Sequence, residues 1–237
     1  RSILNEKLEE EFAGKDFLEL DLKAAKEGFD QAESEWDIDI PDNENLKVMT
    51  GSEGIGIGAI KSGMDSYFAY PMTPATPVLH YLAGRQKEEN YITFQPENEL
   101  ATINAGLGAA HTGAKTMVGS SGGGYDLMQE SMSMQGIAEI PLVVYLAQRP
   151  GPGSGVPTYN TQGDLDIAVK GGHGEYPRVT VAPGDAVESV ELTNQAFYFA
   201  ENYRALSVLL GDKHVGESEF TYTEEPELTE VGRNIAD

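Results

Sequence analysis

Four side chains in this sequence have the types and surroundings that could do chemistry. Glu97 and Glu99 follow the apolar run YITFQ (Tyr91–Gln95) and open ENELATINAGLGAAH (Glu97–His111), which has the pattern of a helix. Acidic residues in a first helical turn complement the helix dipole, and that plain role suits at least one of them. A buried carboxyl would instead have its proton affinity tuned by apolar surroundings and could act in acid–base chemistry. Arg149, in AQRPGPGSG, directly follows the apolar strand pattern PLVVYL. Its guanidinium offers a fork of donors suited to a carboxylate, and pairing with a local acid such as Asp164 is the competing account. Thr73 lies in YPMTPATP (Tyr70–Pro77), where three prolines in eight residues exclude a helix interior or a central strand. A loop this stiff positions a hydroxyl at little entropic cost.

The flanking segments place that loop. DSYFAY (Asp65–Tyr70) reads as a buried strand, and TPVLHYLAG (Thr76–Gly84) reads as a short helix with Thr76 as N-cap and Pro77 at its first position. YPMTP therefore sits at the carboxyl end of a strand, where open α/β sheets bind ligands. SSGGG (Ser120–Gly124) lies between the strand pattern KTMVG and the helix pattern YDLMQESM. A glycine-rich turn before a helix can cradle an anion, and a tight turn with close backbone approach explains it equally well. No GK[ST] follows, so it is not a Walker A loop. The glycines of GSEGIGIGA fall at 54, 56 and 58, a spacing wrong for a dinucleotide fingerprint, and close helix packing accounts for them better. His173, in GGHGEYPR, precedes a strand start and is read as a structural histidine on the opposite sheet edge. The four histidines show no metal-site spacing.

Stepwise alternation extends along the chain from about residue 48. Helix patterns occur near 53–62, 76–83, 98–112, 125–136 and 185–203. Strand patterns occur near 65–69, 91–95, 115–119, 141–146, 178–182 and 206–210. Helices alternating with short apolar strands predict an α/β fold, three layers with a mainly parallel sheet. In the first 45 residues, LNEKLEEEF predicts a short amphipathic helix ended by Gly14. KDFLELDLKAAKEGF reads as a strand running into a helix, and QAESEWDIDIPDNEN reads as linker.

Charge separates the same regions. Residues 1–45 hold 15 acids and 5 bases, residues 217–237 hold 7 and 1, and residues 46–216 hold 17 and 10. Acidity concentrated at the ends marks solvated or linking surface, and a net charge of -23 argues against a nucleic-acid partner. The sequence has no cysteine, which excludes a Cys-ligated iron–sulfur cluster within these 237 residues. No apolar run approaches about 20 residues, so no membrane span is expected. RSILNEKLEEEF lacks a signal-peptide apolar core, and a cytoplasmic location is expected.

As a set, these motifs resemble a known family. YPMTPATP is similar to the YPITPST-type motif of the 2-oxoacid:ferredoxin oxidoreductases, thiamine-diphosphate enzymes that oxidise 2-oxoacids to acyl-CoA. GSEGIGIGAIKSGM (Gly51–Met64) precedes it, and ENELATINAGLGAAHTGAKTMVGSSGGGYDLMQE (Glu97–Glu130) follows. Then come AEIPLVVYLAQRPGPGSGVPTYNTQGDL (Ala138–Leu165), GGHGEYPR (Gly171–Arg178) and GDKHVGES (Gly211–Ser218), in the order of the family's α chain. The resemblance covers residues 46 to 218 and is to the 2-oxoglutarate-type α chains, with pyruvate or a branched-chain 2-oxoacid as the next substrates. It implies a thiamine-diphosphate-binding fold of the pyrimidine-binding type.

The resemblance also implies roles. It aligns Glu99 with the carboxyl that shares a proton with pyrimidine N1′ of thiamine diphosphate, with Glu97 as the fallback. It aligns Arg149 with the arginine that binds the substrate carboxylate, and Thr73 with its partner hydroxyl. Tyr70, Pro71, Ser120, Ser121 and Gly122 fall in segments implied to bind the cofactor, and no metal ligand is expected. Thiamine enzymes hold the diphosphate through Mg2+ with a GDG motif and a later Asn, oxygen ligands suited to that ion. Gly211-Asp212-Lys213 departs from that motif, and no other segment fits it. This chain is thus expected to supply the pyrimidine half of a site shared with a β subunit that carries Mg2+ and the iron–sulfur cluster. A γ domain or subunit, ferredoxin, a 2-oxoacid and CoA complete the implied partners. The expected organisation is residues 1–45 as an acidic tail of a γ domain and linker, 46–218 as the pyrimidine-binding domain, and 219–237 as an acidic linker. A fragment of a fused γ–α chain would have this layout. A non-oxidative thiamine-dependent decarboxylase subunit and a non-catalytic assembly module are the other readings.

Overall fold

The computed structural model describes residues 2–33 and 45–233. They fall in two compact units, one within 1–44 and one within 45–237. The first holds α1 (Ser2–Glu11) and α2 (Leu18–Gln31). The chain turns between them at Gly14, whose φ of +76° favours glycine, and Phe12 meets Phe17 edge-on at 5.5 Å. The expected helix over LNEKLEEEF is present. The expected strand in KDFLELDL is not: that stretch is helical from Leu18. Its Leu, Glu, Lys and Ala are strong helix formers, and they override the local alternation of apolar and polar residues. Most of the linker expected over 31–45 lies outside the described residues.

The second unit contains β1 (Lys47–Thr50), α3 (Gly51–Lys61), β2 (Ser66–Ala69), α4 (Thr76–Glu89), β3 (Ile92–Phe94), α5 (Glu99–His111) and β4 (Thr116–Ser121). It continues through α6 (Gly122–Ala138), β5 (Leu142–Gln148), α7 (Leu165–Lys170), β6 (Arg178–Val181), α8 (Ala186–Tyr203), β7 (Leu206–Asp212), α9 (Lys213–Glu217) and β8 (Glu219–Tyr222). Six strands form one parallel sheet in the order β3-β2-β4-β5-β7-β6. The chain moves outward from β2 to β3 and returns to the other side as β4. The switch point therefore lies between β2 and β4, where ligands of open α/β sheets bind.

Period-two alternation explains the layers. Every residue of β5 is buried, so its apolar run serves both faces. Val143, Tyr145 and Ala147 pack with Ile55 and Ala59 of α3, Val78 and Leu82 of α4 and Phe197 of α8. Leu142, Val144 and Leu146 pack with Ile103 and Leu107 of α5 and Met128 and Met132 of α6. This is the expected three-layer α/β arrangement.

Three local differences from the sequence reading have simple causes. α4 begins at Thr76 with Ala75 as its cap residue, so Pro77 is second in the helix, where its missing N–H is still harmless. β4 passes directly into α6 at Gly122, so SSGGG is the strand end and first helical turn rather than a loop. Residues 219–222 form β8, paired antiparallel with β1 through Met49 and Phe220, so the expected linker starts with a strand of this unit. Beyond it, the Thr229 amide donates to Asn194 Oδ1, and the Val231 carbonyl accepts from Lys115 Nζ. Acidic composition masked the alternation of Phe220 and Tyr222, whose half-buried side chains give this strand its inner face.

Candidate active site

Glu99 is the first residue of α5 and is 6% exposed, whereas Glu97 is exposed and lies before the cap. Asn98 Oδ1 accepts from the Ala101 amide at 2.9 Å, and the Thr102 hydroxyl donates to the Asn98 carbonyl at 2.9 Å. These bonds satisfy donors at the helix start and hold the Glu99 backbone in place. Of the two acids expected to open the helix, only Glu99 does so.

Glu99 faces the first turn of α6. A methyl group placed on Gly124 would lie 2.7 Å from Glu99 Cγ, 3.0 Å from Glu99 Oε1 and 2.1 Å from Ser120 Oγ. Ser120, at the end of β4, also reaches Met72 Sδ at 4.0 Å. The structure thus brings Glu99, Ser120 and the loop after β2 together at the switch point. Ser121, the last residue of β4, is fully buried and its Oγ has no hydrogen-bond partner in the protein; by the strand's alternation it points to the opposite face of the sheet from Ser120.

Arg149 follows the last residue of β5 and is 9% exposed. Its Nη1 donates to the Thr73 carbonyl oxygen at 2.7 Å. β5 and β2 are separated by β4, so this hydrogen bond links the ends of strands that lie two spacings, about 10 Å, apart. Thr73 itself is exposed, as are Tyr70 and Pro71, on the loop that leads into α4. Arg149 and Thr73 converge from separate strand ends, and the guanidinium is buried against the loop that carries the hydroxyl.

Asp164 does not take the role of a simple ion-pair partner for Arg149. Its carboxylate packs on Gly122, where an added methyl would lie 2.8 Å from Oδ2, and Oδ2 has no protein hydrogen-bond partner. The Asp164 amide donates to Gln148 Oε1 at 3.0 Å, which ties the far end of the 149–164 loop back to β5. Burial raises the Asp164 carboxyl above the usual carboxylate range. The Asp126 charge pushes the same way, and the Arg149 amide and guanidinium oppose it.

The sequence reading singled out Ser120, Ser121 and Gly122 but not Gly124, Gln148 or the packing role of Asp164. The third glycine of SSGGG was the available signal for Gly124. His173 lies in the loop that enters β6, at the amino edge of the sheet, and its amide donates to Ser133 Oγ at 2.6 Å. It does not join the site. Among the described residues no group of His, Asp and Glu is arranged to hold a metal ion, and no helix is long and apolar enough to cross a membrane.

Comparison with known proteins extends this geometry. The family model described as "Pyruvate flavodoxin/ferredoxin oxidoreductase, thiamine diP-bdg" matches residues 57–236. The chain is 36% identical over 171 residues to the 2-oxoglutarate synthase subunit KorA of Archaeoglobus fulgidus, covering 72% of this chain and 49% of that protein. It is 32% identical over 215 residues to the 2-oxoacid:ferredoxin oxidoreductase subunit alpha of Saccharolobus solfataricus, covering 85% of this chain and 34% of that protein. A solved structure, the 2-oxoglutarate:ferredoxin oxidoreductase from Magnetococcus marinus with 2-oxoglutarate, coenzyme A and succinyl-CoA bound, superposes with a TM-score of 0.87 at 32% identity. That match covers 98% of this chain and 42% of the other. The chain therefore spans half or less of the length of these relatives. With most of its length matched by the family model, and with a sheet whose switch point carries the buried Glu99, the chain belongs to the thiamine-diphosphate-binding family of the pyruvate flavodoxin/ferredoxin oxidoreductases.

Proposed function

We propose that this chain is the α component, or the pyrimidine-binding part of it, of a 2-oxoacid:ferredoxin oxidoreductase. The reaction is oxidative decarboxylation: a 2-oxoacid and CoA give acyl-CoA and CO2, and the electrons pass to ferredoxin. 2-Oxoglutarate is the preferred substrate in this reading, as the names of the similar proteins suggest. The observation that carries it is the meeting of Glu99, the Thr73 loop and Arg149 at one switch point.

Thiamine diphosphate, when bound, supplies the carbanion chemistry that decarboxylation of a 2-oxoacid needs. Several features of this chain fit its pyrimidine end. Glu99 is a carboxyl kept from bulk water, Ser120 Oγ lies on the same face of the sheet, and Gly124 leaves no side chain between α6 and Glu99. Glu99 holds and gives up a proton at its carboxyl oxygen. Tyr70, Pro71, Ser120 and Gly122 shape the surrounding wall. Arg149 and the Thr73 hydroxyl bind the substrate carboxylate, as a guanidinium fork suits.

Residues 46–218 form the core of this half-site, and residues 1–45 are the tail of a γ domain. In this reading Mg2+, the diphosphate contacts and the iron–sulfur cluster belong to a β subunit; these 237 residues carry neither the metal-binding motif nor a cysteine. The assembly works in the cytoplasm. Co-expression with a cysteine-rich β partner should yield 2-oxoacid- and CoA-dependent ferredoxin reduction that neither chain gives alone. Decarboxylation without ferredoxin reduction by the assembled protein would reject the oxidative reading. 2-Oxoacid oxidation by this chain alone would reject the shared site.

A further inference from the structure

We infer that Gly124 is a positioning residue that sets the place of the Glu99 carboxyl group, an inference that rests on Glu99 being the cofactor-facing acid. Gly124 is the third residue of α6, a 17-residue helix. Ala is a better helix former than Gly at such a place, so helix stability alone does not explain the glycine. Contact does. A methyl there would lie 2.7 Å from Glu99 Cγ, well inside the carbon–carbon contact distance of about 3.5–4.0 Å.

Both neighbours are anchored at the backbone, so only their side chains can give way. The Glu99 backbone is held by the Asn98 cap and the Thr102 hydroxyl bond. On the other side the same methyl would lie 2.1 Å from Ser120 Oγ, at the buried end of β4. The Glu99 side chain must therefore withdraw by about 1 Å, the difference between the enforced and the ordinary contact. The other two glycines of the run do not share this contact. Gly122 packs on Asp164, and a methyl at Gly123 would meet only the Gly153 carbonyl oxygen, at 3.3 Å. The triplet GGG thus contains one position that acts on the acid. A misplacement of about 1 Å at a reacting group costs about 100-fold in rate.

The test is a double-mutant cycle in the assembled holoenzyme, read by exchange of the thiazolium C2 proton. A cofactor-free crystal structure of the Gly124→Ala protein adds a readout independent of activity. Gly124→Ala should slow exchange by about 100-fold. Gly124→Ala on a Glu99→Gln background should slow it no further, because both act on one group. The cofactor-free structure should show the Glu99 carboxyl displaced. Wild-type exchange in Gly124→Ala, effects that multiply across the cycle, or an unmoved Glu99 would overturn the inference while leaving Glu99 as the acid. Wild-type exchange in Glu99→Gln would overturn the reading of Glu99 itself. If Gly124→Ala does not assemble, Ser120→Ala/Gly124→Ala removes the hydroxyl contact and is compared with Ser120→Ala. Slower exchange supports the inference, and an equal rate or a second failure to assemble overturns it.

Discussion

Arg149 donates from Nη1 to the backbone carbonyl of Thr73 at 2.7 Å, and so joins the end of β5 to the loop after β2 across the end of β4. The bond goes to the backbone, which leaves the Thr73 hydroxyl out of it. The two groups can therefore be tested separately, because Thr73→Val removes the hydroxyl without breaking the tie.

Arg149→Ala should raise KM for the 2-oxoacid far more than it lowers affinity for thiamine diphosphate. Loss of a charge-assisted hydrogen bond is worth about 1.5–3 kcal/mol, which corresponds to about 10- to 100-fold in KM. Thr73→Val should raise KM by a smaller factor, since it removes one neutral donor. Steady-state kinetics on the assembled enzyme decide this, and unchanged KM in both variants would place carboxylate binding elsewhere.

Glu99→Gln keeps the size and most of the packing of a side chain that is nearly fully buried, so the chain should fold and assemble. It removes the carboxyl to which the proposed function assigns the acid–base role, and general acid–base contributions are typically about 100- to 10,000-fold. C2-proton exchange should slow by a factor in that range. Glu97→Gln should change it little, because Glu97 is exposed and precedes the helix. NMR exchange rates for the two variants give the answer, and the reverse pattern would move the assignment by two residues.

Asp164 should make stability depend on pH. Burial raises its carboxyl in the folded chain, so the folded state binds the proton more tightly than the unfolded one. Its contribution is fully present below the unfolded value, about pH 4, and is lost as pH rises through the folded value. Asp164→Asn removes the titration and nearly preserves the shape. The variant should therefore gain stability relative to wild type as pH rises from about 4. Urea unfolding midpoints for both proteins across that range measure the difference, and a difference constant with pH would contradict it.

Much of this fold was written in local pattern. LVVYLAQ is apolar on both faces, and only a strand between two helical layers uses such a run. The prolines of YPMTP and the glycine-rich start of α6 marked the two strand ends that flank the switch point. Other features were not local. Whether Glu97 or Glu99 is buried depends on where α6 sits. The pairing of KVMT with EFTY joins four-residue strands about 170 residues apart, too short for periodicity to show. The reach of Arg149 to Thr73 is set by strand order, which no window of sequence contains.

The glycines of α3 give the sharpest test of packing read from spacing. Gly54 and Gly58 lie four residues apart on one helix face, where added methyls would come within 2.5 Å of Ala186 O and 2.4 Å of Val190 O on α8. Gly56, between them, faces Tyr81 of α4 at 2.3 Å, so α3 is held closely on two sides. Backbone oxygens cannot move aside as a side-chain tip can. Gly58→Ala should therefore destabilise the chain by about 1–3 kcal/mol, although Ala favours helix by about 1 kcal/mol. Gly84, in α4, has no atom within 4 Å of the corresponding position. Gly84→Ala should instead stabilise the chain by about 0.4–1 kcal/mol, through helix propensity and a less flexible unfolded chain. Urea denaturation of the two variants provides the comparison. Equal effects of the same sign would mean that α3 does not pack against α8 through its glycines.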